Sequence, residues 1–363
     1  MNETKQKLKT KKKNDSPLTG KKQWVYMLVF VIIAVMSVSA ILMQSKDFSL
    51  ADFADYIQEA SVPELIAAGL SMLGFIFFEG AALLLLCKAF GHKQSLWRGY
   101  IYSASDIYFS AITPSASGGQ PASAYFMMKD GMNSMMVAAL LVANLCMYML
   151  AIVVIGFAVF FFRFDIFMQF GLGYQILIVV GFLIQVFLLV FFYMLLKKDR
   201  LLHRMCSALI NFLCKIRILR NKEGKLKKLD AYMKRYKQHS EIISGHKKTL
   251  FFCFVFNLLQ RISQIAVTMF VYAATTGKSI MESIDIFFVQ CFVTLGANSM
   301  PIPGAMGVSD MLMLDGYSTY VGQADAANLV LLSRAFSFYS CVIICGVSTL
   351  IQYLAIKKRR NSK

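Results

Sequence analysis

The chain has 363 residues, 57% of them hydrophobic and only 16% charged, with a formal net charge of +18. This is too apolar for a soluble domain, which must cover itself with polar side chains, so the bilayer is the expected solvent. The basic residues sit in blocks beside apolar segments and form no recognition motif, which argues against nucleic acid and for juxtamembrane clusters facing anionic lipid.

Six apolar windows reach the roughly 20 residues needed to cross a ~30 Å hydrocarbon core at about 1.5 Å per residue. They run from Trp24 to Met43, Leu65 to Cys87, Met135 to Phe162, Leu172 to Leu196, Leu250 to Ala274 and Ala326 to Ile356. The first is longer than a signal-peptide core and has no small-x-small cleavage site, so it reads as an uncleaved span. Eight cysteines lie scattered without a C-x-x-C pair, and His92, His203, His239 and His246 fall in the connections. No metal, disulfide or cofactor is expected from this pattern.

Loop charge sets the orientation. Eight Lys/Arg precede Trp24, whereas the connection Gln44 to Glu64 has one lysine against five acids, so the N-terminus is expected inside. Lys88, Lys93 and Arg98 place the next connection inside, and the link from Lys197 to Lys248 follows with sixteen Lys/Arg against four Asp/Glu. The terminal Lys357-Lys358-Arg359-Arg360 agrees, giving a multi-pass protein of a bacterial-type cell membrane with both termini cytoplasmic.

Two weaker segments, Tyr100 to Met128 and Ile286 to Leu314, are apolar but broken by Pro, Gly and polar residues. Parity makes each re-entrant: the first enters and leaves by the inner face, the second by the outer. The expected fold is therefore an all-α polytopic membrane protein with six spanning helices and two opposed Pro/Gly-broken hairpins. Pro114 lies 49 residues after Leu65 and Pro301 lies 51 after Leu250, as an inverted repeat requires. Residues 1–23 form a basic tail, 24–356 the membrane domain with its basic link 197–248, and 357–363 a second basic tail.

The first break carries Asp106, Thr113, Pro114, Ser115, Ser117, Gly118, Gly119, Gln120 and Pro121. The second carries Pro301, Pro303, Gly304, Gly307 and Asp310. Proline removes backbone donors and glycine permits unusual φ, so helix bonds are lost at membrane depth, where only protein or a water-filled cavity tolerates it. The freed amides and hydroxyls can hold an anionic headgroup, or the turns can simply pack. Ionisable residues inside spans are costly, which singles out Glu79, Arg261 and Arg334. The two arginines can hold a phosphate bidentately with Glu79 balancing one of them, or form a structural ion pair. Asp106 and Asp310 can instead sit at the interface, where they cost little.

Leu201, Leu202, Met205, Leu209, Ile210 and Leu213 recur at helical spacing in the link, as in an amphipathic helix on anionic lipid; a solvated loop is the alternative. Met127, Met128, Met132, Met135 and Met136 read as packing rather than a metal site.

At the two breaks the sequence resembles the lysylphosphatidylglycerol synthase transmembrane-region family, a flippase-like domain family. The resemblance rests on Ser105-Asp106-Ile107-Tyr108-Phe109-Ser110-Ala111-Ile112-Thr113-Pro114, on Gly118-Gly119-Gln120-Pro121, and on Pro301-x-Pro303-Gly304-x-x-Gly307. It departs at Asp310, where the family commonly has Glu, and at Ala305, where a further Gly is usual. The resemblance implies movement of aminoacylated phospholipid between leaflets; two-domain members add a soluble domain that transfers lysine from lysyl-tRNA to phosphatidylglycerol. Seven residues after Ile356 leave no room for that domain in this sequence.

The leading expectation is a translocase for an anionic phospholipid such as lysyl-phosphatidylglycerol, without catalytic residues and with a separate lipid aminoacyltransferase as a partner. A phosphatidylglycerol lysyltransferase acting in resistance to cationic peptides, and a membrane scaffold, remain the alternatives. Homo-oligomerisation stays open.

Overall fold

The computed structural model describes residues 55–197, 199–215 and 222–361. The expected first span, Trp24 to Met43, and the N-terminal tail lie outside them. The helices are α1 (Val62–Ala89), α2 (Leu96–Ile112), α3 (Gly119–Lys129), α4 (Ser134–Phe162), α5 (Leu172–Lys197), α6 (Asp199–Lys215), α7 (Lys222–Gly245), α8 (Lys247–Thr276), α9 (Ile284–Ala297), α10 (Val308–Arg334) and α11 (Ser340–Asn361). Five helical stretches among the described residues are long and apolar enough to span: α1, α4, α5, α8 and the run Asp325–Lys358. Each lies within a few residues of a window read from sequence, and the chain is an all-α, multi-pass membrane protein.

α1 shows how such a helix forms and faces. A proline at its start has no amide to waste, Glu64 lies in its first turn and Lys88 in its last, as the helix dipole favours. Ile66, Leu70, Leu73 and Phe77 form an exposed stripe that faces lipid. The opposite face buries Ala68, Met72, Phe75, Ile76 and Glu79 against the protein. α1 and α8 pack along much of their length, forming the seam between the two halves.

Both broken segments are helical hairpins. In the first, α2 and α3 pack side by side around a 3₁₀ turn at Pro114–Ala116; in the second, α9 and the first limb of α10 do so around Pro303–Ala305. The base of the first is tied by Arg98 to Asp130 at 3.2 Å, just before α4 begins. The base of the second is tied by Arg163, just after α4 ends, to Asp285 at 2.7 Å. The bases therefore lie at opposite ends of one spanning helix, and the tips touch between them. The hairpins enter from opposite faces, as parity requires.

The first hairpin is seated by small residues. A Cβ on Gly80 of α1 would lie 2.9 Å from the backbone of Gly99 on α2, so the two helices approach as closely as only glycine allows. The second hairpin continues through Gly322, whose φ of 80° and ψ of 169° reverse the chain. The second limb of α10 then returns alongside the first, a π-turn at Ala335–Tyr339 follows, and α11 completes the crossing.

The basic link is two helices rather than one. α7 buries Leu229, Tyr236 and Ile243, and its Tyr236 hydroxyl donates to the Leu195 carbonyl at 3.3 Å, docking it on the end of α5. His203 of α6 meets Asp230 of α7 at 2.7 Å. Burial beside Phe90 holds the His239 imidazole below its ordinary range. Met127, Met132 and Met136 are core residues, in line with packing.

Candidate functional site

The two tips share a backbone device. Thr113 is extended, Pro114 opens the 3₁₀ turn, and Ser115 and Ala116 follow with φ of 53° and 52°. Ile302 is extended, Pro303 opens the second turn, and Gly304 and Ala305 follow with φ of 60° and 49°. The residue before each proline is pushed to extended geometry by the ring, which ends one helix and frees its last carbonyls. Pro303, not Pro301, is thus the counterpart of Pro114, a correction of two residues to the register read from spacing. Left-handed backbone at non-glycine residues costs about 1–2 kcal/mol each, and such strain clusters at functional sites.

The tips and the surrounding helices enclose a cavity of about 670 Å³. Its polar lining comes from every neighbouring element: Glu79, Asp106, Ser115, Ser117, Gln120, Tyr148, Gln260, Arg261, Asn298, Ser309 and Arg334 among them. Asp106 and Asp310 are 7% and 2% exposed, so both are buried within the protein.

On the first tip, Asp106 accepts from Ser110 Oγ at 3.1 Å and from Gln120 Nε2 at 2.9 Å. Thr113 Oγ1 donates to the Phe109 carbonyl at 2.5 Å and accepts from the Gly118 amide at 2.9 Å, which replaces helix bonds lost at the break. Ser115 and Ser117 are exposed at the tip, while Gly119 is buried against Asp106. Pro121 falls in the first turn of α3, where its missing amide costs nothing.

On the second tip, Asp310 accepts from the Gly307 amide at 2.9 Å and from Arg334 Nε. Arg334 also donates through Nη2 to Ser309 and lies 5.2 Å from the centre of the Phe338 ring. This arginine is closed within a structural ion pair. Pro301 is exposed and Gly304 lies beneath Phe338.

Arg261 is different. Its guanidinium is 4.3 Å from the centre of the Tyr148 ring and 5.6 Å from that of Phe75, and Nη1 donates to Gln264 Oε1 at 2.5 Å. Its Nε is buried without a hydrogen-bond partner, and no carboxylate among the described residues pairs with it. Glu79 does not pair with either arginine; it accepts from Ser103 Oγ at 3.2 Å and Gln260 Nε2 at 3.0 Å.

Several cavity residues were not singled out from sequence. Asn257, Gln260 and Gln264 share the face of α8 that carries Arg261, and their three- and four-residue spacing inside an apolar span was the available signal. Tyr148, which also donates to Asn298 at 3.3 Å, carries no such signal in an aromatic-rich helix.

No curated protein and no solved structure matches the chain. A family profile described as "Lysylphosphatidylglycerol synthase TM region" matches residues 25–345, which takes in both hairpins and every residue of the cavity named above. By that match the chain belongs to the lysylphosphatidylglycerol synthase transmembrane-region family.

Proposed function

We propose that the chain is a lipid translocase that holds the headgroup of an anionic phospholipid, aminoacylated phosphatidylglycerol included, between its two hairpin tips. The observation that carries this reading is Arg261: a buried guanidinium, stacked on Tyr148, with an unused Nε and no carboxylate partner. A buried cation with no carboxylate in contact is expensive, and a phosphodiester oxygen supplies both a close charge and the acceptor that Nε lacks. Gln185 Oε1, Asn257 Oδ1 and Gln260 Oε1 are likewise buried without partners around the cavity and can accept from headgroup hydroxyl or ammonium donors. Two hairpins entering from opposite faces give each leaflet its own approach to one central site, as alternating access needs. With the orientation set by loop charge, the face carrying α6 and α7 is cytoplasmic.

The test is movement of fluorescent phosphatidylglycerol and of lysyl-phosphatidylglycerol between the leaflets of proteoliposomes. Wild-type protein should speed it over empty vesicles and Arg261→Ala should abolish the gain. Folded wild-type protein that moves neither lipid, or an Arg261→Ala variant that moves both as fast, overturns the reading.

A further inference from the structure

The headgroup site described above uses Arg261 and leaves two buried carboxyls without a task. Glu79 and Asp106 line the same cavity, each is 7% exposed, and neither has a Lys, Arg or His nitrogen within 4.0 Å among the described residues. Each is satisfied by one hydroxyl and one amide: Glu79 by Ser103 and Gln260, Asp106 by Ser110 and Gln120. Ser103 and Asp106 lie one turn apart on α2, so the two acids are neighbours along one helix face. Ser110 also reaches the Ala116 carbonyl at 3.4 Å, which leads from Asp106 to the exposed tip. Asp310, by contrast, has a guanidinium locked on it.

We propose that Glu79 and Asp106 form a proton-carrying pair that couples headgroup binding at Arg261 to proton uptake, which would make the translocase proton-driven; this rests on the translocase reading. Among the described residues, the charged and titratable groups facing the pair are Arg261 from α8, Tyr148 from α4 and Cys341 and Cys345 from α11, besides the two acids themselves; Arg334 of α10 lines the same cavity but is closed on Asp310. Arg261 is the one cation of this set. When a phosphate takes it, its charge is cancelled and a bare carboxylate at Glu79 loses the one cation facing it. A proton from water then adds to a carboxylate oxygen as the lipid binds and returns to water as it leaves, with no other bond changed. By linkage, lipid binds more tightly as pH falls and protons bind more tightly when lipid is present. Ser103, Gln260, Ser110 and Gln120 are neutral, so the pair can change its charge without breaking an ion pair.

The experiment reads proton uptake by purified protein in weakly buffered nanodiscs of neutral lipid when short-chain phosphatidylglycerol is added. Wild type should take up about one proton per lipid bound, Glu79→Gln should bind lipid with the uptake lost, and Asp106→Asn should reduce it. Ser103→Ala, a milder change, should shift the pH at which uptake is half-maximal and so decides the matter if the first two variants do not fold. In proteoliposomes, an imposed pH gradient should speed wild-type transport and leave Glu79→Gln indifferent. Lipid binding without proton uptake, uptake unchanged in the variants, or no binding of phosphatidylglycerol at all overturns the proposal. If wild type moves lipid at one rate with and without a gradient, coupling falls and the translocase stands. If lipid never moves but binding still draws a proton through Glu79, the translocase reading falls and the proton pair stands.

Discussion

The two hairpin tips have one backbone and two electrostatic fates. Each runs extended residue, proline, then two left-handed residues, and each places an aspartate near its break. On the second tip Arg334 closes on Asp310 and Ser309, so charge is cancelled inside the tip. On the first, Asp106 meets only Ser110 and Gln120, and the nearby arginine, Arg261, rests on an aromatic ring. Two tips of like backbone thus differ in charge pairing: an ion pair closes the second, and the first faces the cavity without one.

The sharpest way to break this comparison is to remove each arginine in turn. Arg334→Ala strands Asp310, 2% exposed, without its cation, and should destabilise by about 3–5 kcal/mol. Replacing both Arg334 and Asp310 by apolar residues should cost less than the single change, because no buried charge is left behind. Thermal unfolding of the detergent-solubilised variants checks both. Equal losses for the single and double variants would mean that the pair does not lock the tip.

Arg261→Ala should do the reverse. It breaks no direct ion pair, although it removes the cation facing Glu79, so unfolding should change less than in Arg334→Ala, while phosphatidylglycerol affinity should fall by tenfold or more, the worth of a charge-assisted hydrogen bond of about 1.5–3 kcal/mol. Lipid titration in nanodiscs reads the affinity. A large loss of stability with affinity intact would place Arg261 beside Arg334 as a structural residue.

Glycines separate the tips on a smaller scale. A Cβ on Gly119 would lie 2.1 Å from both Asp106 Oδ1 and Ser110 Oγ and 2.7 Å from the Asp106 carbonyl, so Gly119→Ala should cost about 1–3 kcal/mol and disturb the open site. Gly307 has open space around its Cβ position but a φ of 83° and a ψ of −60°, so Gly307→Ala should cost only the backbone strain, about 1–3 kcal/mol, with affinity preserved. Parallel affinity and unfolding measurements tell steric from conformational cost.

Much of this was legible in the sequence. Five spans follow from hydropathy alone, since a bilayer allows few other arrangements, and parity turned two broken segments into opposed hairpins. The breaks were visible because proline and glycine act locally. The roles of Arg261 and Arg334 were not separable: both are lone cations in apolar spans, and only the return of the chain at Gly322 brings Arg334 to Asp310. Pro303 and Pro301 could not be told apart as the partner of Pro114, because the distinction lies in φ and ψ rather than in spacing. The link was read as one amphipathic helix, whereas α6 and α7 are two, joined across His203 and Asp230.

The smallest effect concerns the bases of the hairpins. The second is held by Arg163, which donates to Asp285 at 2.7 Å and to Asp165 at 3.2 Å. Asp285 and then Asp165 push the Arg163 guanidinium above its already high range, so it stays charged at every working pH. The same contact holds Asp165 below its ordinary value of 3.8. A carboxyl depressed on folding contributes stability that is present above its unfolded value and lost as pH falls through the folded one. The Arg163–Asp165 contact should therefore be indifferent to pH near neutrality and weaken only below pH 3.8. Asp165 is exposed and salt screens it, so Asp165→Asn should lower the melting temperature slightly at neutral pH and low salt, and not at all at high salt. A large fall that persists in salt would show that the second hairpin, for all its locked tip, depends on its base as much as on Arg334.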